Sequence, residues 1–173
     1  MKFYSGFSLK DESYLFTDFI NPSDFTVCGF SYGAIPAFES VLELLREGRR
    51  IDTLQLFSPA FFQSKDAKFK RLQLMSYKKN QDVYMQQFVD ACFAPYNKKI
   101  VEHKETTIEE LQELLEYVWD IDLLKFIEEK GVKIEVYLGG KDAIVDSHAT
   151  KEFFQEVATV TYIKEANHFL QLN

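Results

Sequence analysis

Residues 25–28 form a short apolar run with strand character, and Gly29-Phe30-Ser31-Tyr32-Gly33 follows it directly. Ala34, Ala37, Phe38, Val41, Leu44 and Leu45 then recur at helical spacing until Gly48. A strand, a Gly-x-Ser-x-Gly turn and a helix in immediate succession define a sharp elbow. Gly29 and Gly33 remove side chains where backbone segments must approach closely. Ser31 then projects at the carboxyl edge of a sheet, near a helix N-terminus, where backbone N–H groups can stabilise an oxyanion. The motif alone arises by chance in roughly one chain of this size in twenty, and a capped strand-to-helix turn is its simpler meaning. Its position between strand and helix gives it weight.

The rest of the chain supplies the partners such a serine needs. A serine nucleophile requires a base, and the base requires an orienting acid. The chain has three histidines, His103, His148 and His168. His103 lies in a charged stretch and His148 in the first turn of an expected helix, both typical of solvated surface. His168 follows the last expected strand, in Ala166-Asn167-His168-Phe169, where the order nucleophile, acid, base puts the base. The acid should follow the penultimate strand. Asp142, in Gly139-Gly140-Lys141-Asp142, is the candidate, with Asp146 as the alternative. A second oxyanion donor should come from a loop after an earlier strand. Gly6-Phe7 follows the first strand, so the N–H groups of Phe7 and Tyr32 are assigned to the oxyanion hole.

Elsewhere, strand patterns are expected at 2–6, 51–57, 132–138 and 160–163. Helical patterns fall at 10–20, 34–47, 82–93, 108–130 and 147–157. Thr107 and Glu110 form a potential capping box ahead of the fourth of these helices. Strands alternating with helices imply parallel crossovers, hence an α/β fold with a mostly parallel sheet and helices on both faces. Residues 60–130 are helix-rich and charged, which reads as a helical lid inserted in a single domain spanning 1–173.

Bulk properties narrow the function classes. The chain of 173 residues suits one domain, and 17 Phe and 9 Tyr suffice for a core and an apolar pocket. A net charge of −7 argues against general nucleic-acid or anionic-membrane binding. Cys28 and Cys92 form no metal or redox motif and read as ordinary thiols of a reducing compartment. No spacing of His, Cys and acidic residues points to a metal, no Gly-rich loop points to a phosphate cofactor, and no cofactor is expected. No basic start followed by an apolar run marks a signal peptide, and no stretch is apolar enough to span a membrane, so the cytoplasm is the expected location.

With these residues in place, the sequence resembles the α/β-hydrolase superfamily over essentially its whole length. More narrowly, it resembles the compact pimeloyl-acyl-carrier-protein methyl ester esterases of biotin synthesis. The stretches that carry this are Phe3-Tyr4-Ser5-Gly6-Phe7, Gly29-Phe30-Ser31-Tyr32-Gly33-Ala34 and Leu56-Phe57-Ser58-Pro59-Ala60-Phe61-Phe62. The resemblance implies that Ser31 attacks the methyl ester of a pimeloyl chain held on acyl carrier protein, releasing methanol, with His168 as base and Asp142 behind it. The chain begins at what would be the family's third strand, so a truncated sheet of about five or six strands is expected. An acidic carrier protein calls for a locally basic docking patch. Residues 65–79 hold Lys65, Lys68, Lys70, Arg71, Lys78 and Lys79 against Asp66 alone. Lys65, Lys68, Lys70 and Arg71 are the docking candidates. A serine carboxylesterase or thioesterase of another substrate, or a non-catalytic binding protein on the same scaffold, are the alternative readings.

Overall fold

A computed structural model describes residues 1–173. In chain order it contains β1 (Lys2–Tyr4), β2 (Leu9–Lys10), a 3-10 helix (Glu12–Phe16), β3 (Thr26–Phe30) and α1 (Ala34–Arg46). β4 (Thr53–Phe57), α2 (Ala67–Lys79), α3 (Gln81–Phe93), β5 (Glu102–His103) and α4 (Ile108–Glu116) follow. α5 (Ile121–Glu129), β6 (Lys133–Gly139), α6 (Ser147–Phe154) and β7 (Thr159–Ile163) complete the chain. The main sheet has five strands in the order β1-β3-β4-β6-β7, and every neighbouring pair is parallel. β2 and β5 form a separate antiparallel pair.

Alternation along the strands divides the interior into two layers. Leu54 and Leu56 of β4 and Ile134, Val136 and Leu138 of β6 face a large core shared with Phe38 of α1, Ile127 of α5 and Phe154 of α6. Cys28, Phe30 and Phe57 face the other way, into an aromatic layer with Phe16, Phe93 and Phe169. That second face is closed by the 3-10 helix, the end of α3 and the last residues of the chain. Helices therefore cover both faces, with α1, α5 and α6 packed on one side. β3 and β4 are buried along their whole length, as central strands of a parallel sheet must be.

The helical block departs from the sequence pattern in instructive ways. Residues 108–130 predict one helix, but the structure breaks it between α4 and α5. Trp119 is the cause: its indole N–H donates to the Ala60 carbonyl at 2.8 Å and its backbone N–H to Gln63 Oε1 at 2.8 Å. This anchoring pulls residues 117–119 out of helical geometry, and Asp120 caps a new helix by accepting from the N–H groups of Asp122 and Leu123. The expected capping box does open α4, with Thr107 and Glu110 bonded reciprocally. Much of the basic stretch is α2, a helix that buries only Tyr77 and so lacks the apolar periodicity that would reveal it. The pattern at 10–20 yields only the short 3-10 helix, and the last helix stops at Phe154.

α2 packs on α3 and α4, whereas α5 packs on α1 and serves as the crossover helix between β4 and β6. No helix is long and apolar enough to cross a membrane. Both cysteines are buried and free, and burial pushes the Cys28 thiol up to about 12.

The turn after β3 seats directly on β1. A Cβ on Gly33 would lie 2.1 Å from the Tyr4 carbonyl oxygen, and one on Gly29 would lie 2.4 Å from the Gly33 oxygen. Both obstacles are backbone, which cannot swing aside. Gly33→Ala should therefore lower the thermal unfolding midpoint by ~5 °C or more. A midpoint equal to that of the native chain would show that the close approach does not constrain the fold.

Candidate active site

Because the sheet is parallel, the ends of β3, β6 and β7 all emerge at one edge. Ser31 stands at the end of β3 with φ of 52°, a left-handed conformation that an L residue rarely adopts. Its carbonyl accepts from the Ala60 N–H at 3.0 Å, which ties the turn to the segment after β4.

His168 lies in the loop after β7 and is fully buried. Asn167 fixes that loop. Its Oδ1 accepts from the N–H groups of Phe169 and Gln171, each at 3.0 Å, and its Nδ2 donates to the Phe93 carbonyl at 2.8 Å. The imidazole rests beside Phe30, with ring centres 5.0 Å apart.

Asp142 follows β6, and its side chain is likewise fully buried. Its Oδ1 accepts from the N–H groups of Ile144 at 2.7 Å and Val145 at 3.0 Å. Its Oδ2 stands 2.7 Å from His168 Nδ1, and His168 Nε2 stands 3.0 Å from Ser31 Oγ. A carboxylate only accepts, so Nδ1 carries the proton and Nε2 is left to accept from the Ser31 hydroxyl. The structure thus brings Ser31, His168 and Asp142 into one hydrogen-bonded row. Asp146, the alternative acid, is instead the N-cap of α6, accepting from the Ala149 N–H at 3.0 Å. His103 on β5 and His148 in α6 are exposed and lie outside the row.

The oxyanion candidates are Phe7 and Tyr32, the latter next to Ser31 in sequence. The Phe7 N–H has no hydrogen-bond partner in the chain. Tyr32 occupies the first turn of the helical segment, where N–H groups lack intrahelical partners. Phe7 is buried, with its ring edge-on to Tyr32 at 6.4 Å and to Phe88 at 5.7 Å. The Tyr32 hydroxyl donates to Glu113 of α4 at 2.9 Å, which ties the helical block to the elbow.

Sequence reasoning missed two supports. One is Asn167; an amide side chain beside His168 was the visible signal. The other is Glu12, which is fully buried and accepts from the Gly6 N–H at 2.6 Å, so it holds the loop that presents Phe7. No pattern marked Glu12, since it precedes a turn of mixed polarity.

Ser31 itself is only 3% exposed. A cavity of about 310 Å³ lies beside the row, walled by Phe62, Phe69, Phe88, Leu111, Leu115 and Ile144 among others. Neither Ser31 nor His168 lines it; Ile144 and the contact of Phe88 with Phe7 connect it to the site. Of the docking candidates, Lys65 lines this cavity, while Lys68, Lys70 and Arg71 lie in the first turns of α2.

The identity of the acid can be tested spectroscopically. The proton on His168 Nδ1 should resonate at the low-field end of the proton NMR spectrum. Asp142→Ala should abolish the signal and Asp146→Ala should leave it. Loss with Asp146→Ala alone would reassign the acid.

No protein-family model matches the chain, and no curated protein matches it by sequence. Solved structures do. BioG from Haemophilus influenzae matches with a TM-score of 0.59 at 11% identity, over 97% of this chain and 87% of that one. Naproxen esterase (carboxylesterase NP) from Bacillus subtilis matches with a TM-score of 0.52 at 20% identity, over 85% of this chain and 54% of that one. Bromoperoxidase from Bacillus anthracis gives 0.59 at 14% identity, over 83% and 60%. The chain therefore spans most of BioG but little more than half of the other two. Likeness at these identities defines architecture, and the architecture is the α/β-hydrolase fold.

Proposed function

We propose that this chain is a serine hydrolase that cleaves a carboxylic ester, with Ser31 as nucleophile, His168 as general base and Asp142 as orienting acid. The observation that carries the reading is the row from Asp142 through His168 to Ser31, with spacings of 2.7 and 3.0 Å, on a left-handed elbow. In the reaction, Ser31 Oγ bonds to the ester carbonyl carbon while His168 Nε2 takes the hydroxyl proton. The resulting oxyanion is stabilised by the N–H groups of Phe7 and Tyr32. The imidazolium, held by Asp142, returns its proton to the departing alkoxide. Water then adds to the acyl-enzyme with His168 again as base, and the carboxylic acid leaves.

The substrate reading is the methyl ester of pimeloyl-acyl carrier protein, cleaved to pimeloyl-acyl carrier protein and methanol in biotin synthesis. The resemblance of residues 3–7, 29–34 and 56–62 supports it, as does the likeness to BioG over almost the whole chain. The cavity beside the site suits an acyl chain, and the start of α2 offers cations to an acidic carrier in a chain of net charge −7. α2, α3 and α4 serve as the lid, joined to the elbow by the Tyr32–Glu113 hydrogen bond. The carboxylesterase neighbours favour a second reading, a general esterase of small substrates.

The two readings diverge on one assay. The native chain should cleave the carrier-bound methyl ester in strong preference to a short free ester. Replacing Lys68, Lys70 and Arg71 together by Glu should cut that preference by ~10-fold or more, and by more at low salt than at high. Equal losses on both substrates would rule out a docking role for these residues. Cleavage of the free ester alone would establish the second reading.

A further inference from the structure

The cavity beside the site is lined by 13 residues, 10 of them apolar or aromatic. Its volume of about 310 Å³ is at the lower end for a small-molecule site. Only one lining residue carries a charge, and that is Lys65. Lys65 forms no ion pair within the chain. Its Nζ lies over the ring of Phe69, itself a cavity wall, at 5.6 Å from the centroid. This contact holds the ammonium against the cavity wall. Two amides, Gln73 and Gln87, join it on the lining. Gln73 accepts from the Tyr84 hydroxyl at 3.0 Å through its Oε1, which leaves its NH2 free to donate. The lining thus offers a cation and amide donors, and no acidic residue among the thirteen answers them.

Its walls on the side of the site include Ile144, whose N–H donates to Asp142, and Phe88, which packs on Phe7. A ligand whose ester lies at Ser31 and whose chain enters this cavity meets an unpaired ammonium on the cavity wall. An ion pair formed against apolar walls is screened far less than one in water, so it discriminates strongly between charged and neutral ends.

We infer that Lys65 is a specificity residue, pairing with an oxyanion group that the substrate carries on the side of its acyl chain remote from the ester. This separates it from Lys68, Lys70 and Arg71, which do not line the cavity. The group is a carboxylate, as in a free half-ester of a dicarboxylic acid, or a phosphate, as on a pantetheine arm. The inference rests on Ser31 as the nucleophile, and its test keeps the two ideas separable.

Specificity constants are to be measured for two substrate pairs. The first sets monomethyl half-esters, from glutarate to azelate, against neutral methyl alkanoates of equal length. The second sets monomethyl pimelate joined as a thioester to phosphopantetheine against the same ester on pantetheine. The native chain should prefer the anionic member of one pair by ~10-fold or more. Lys65→Met should bring that ratio close to one, and Lys65→Arg should restore much of it. Preference within the first pair identifies the carboxylate, and within the second the phosphate. No preference in the native chain, or a preference that survives Lys65→Met, overturns the inference. If no ester is cleaved, the hydrolase reading falls, and calorimetry with octanoate and octan-1-ol still decides on Lys65. Tighter binding of octanoate that is lost in Lys65→Met supports the inference, and equal octanoate affinity in the two proteins overturns it.

Discussion

A parallel sheet sends every strand's carboxyl end to the same edge, and this constraint organises the rest of the molecule. Ser31 lies more than a hundred residues of chain before Asp142 and His168, yet each of the three needs only to be the first feature after its strand. β3, β6 and β7 then deliver them to one place. The row of hydrogen bonds closes because each loop is also clamped locally. Ser31 is held by the Ala60 N–H, Asp142 by its own downstream N–H groups, and His168 by the amide of Asn167. Removing a clamp would leave the side chain present but misdirected.

The aromatic layer under the sheet does related work. Phe16, Phe30, Phe57, Phe93 and Phe169 form a continuous stack, with Phe16 and Phe57 4.8 Å apart and Phe93 and Phe169 4.4 Å apart. Phe30 and Phe169 are the residues adjacent in sequence to Ser31 and His168. Their packing fixes the backbone on both sides of the serine–imidazole contact and keeps water from the imidazole's flank. Five of the 17 phenylalanines thus support the site from beneath the sheet, and Phe62, Phe69 and Phe88 line the cavity.

What could be read from the sequence was whatever depends on short spacing. Two glycines around Ser31, a strand before them and a helix after them define the elbow, and the order of Asp142 and His168 follows from the strands they succeed. What could not be read depends on contacts between distant segments. Trp119 breaks a continuous helical pattern because Ala60 and Gln63, far away in sequence, accept its N–H groups. Glu12 is a buried carboxylate that supports the Gly6-Phe7 loop, yet its neighbours gave no sign of burial. Lys65 and Lys68 look alike in a basic run, and only the fold puts one on the cavity wall and the other at the start of α2.

The proposed chemistry requires that His168 make Ser31 nucleophilic. Labelling with a small alkyl fluorophosphonate, followed by peptide mass spectrometry, tests it most directly. A single adduct is expected on the peptide containing Ser31, absent in Ser31→Ala, greatly slowed in His168→Ala and retained in Ser64→Ala. An unlabelled native chain, or an adduct that persists in Ser31→Ala, would contradict it.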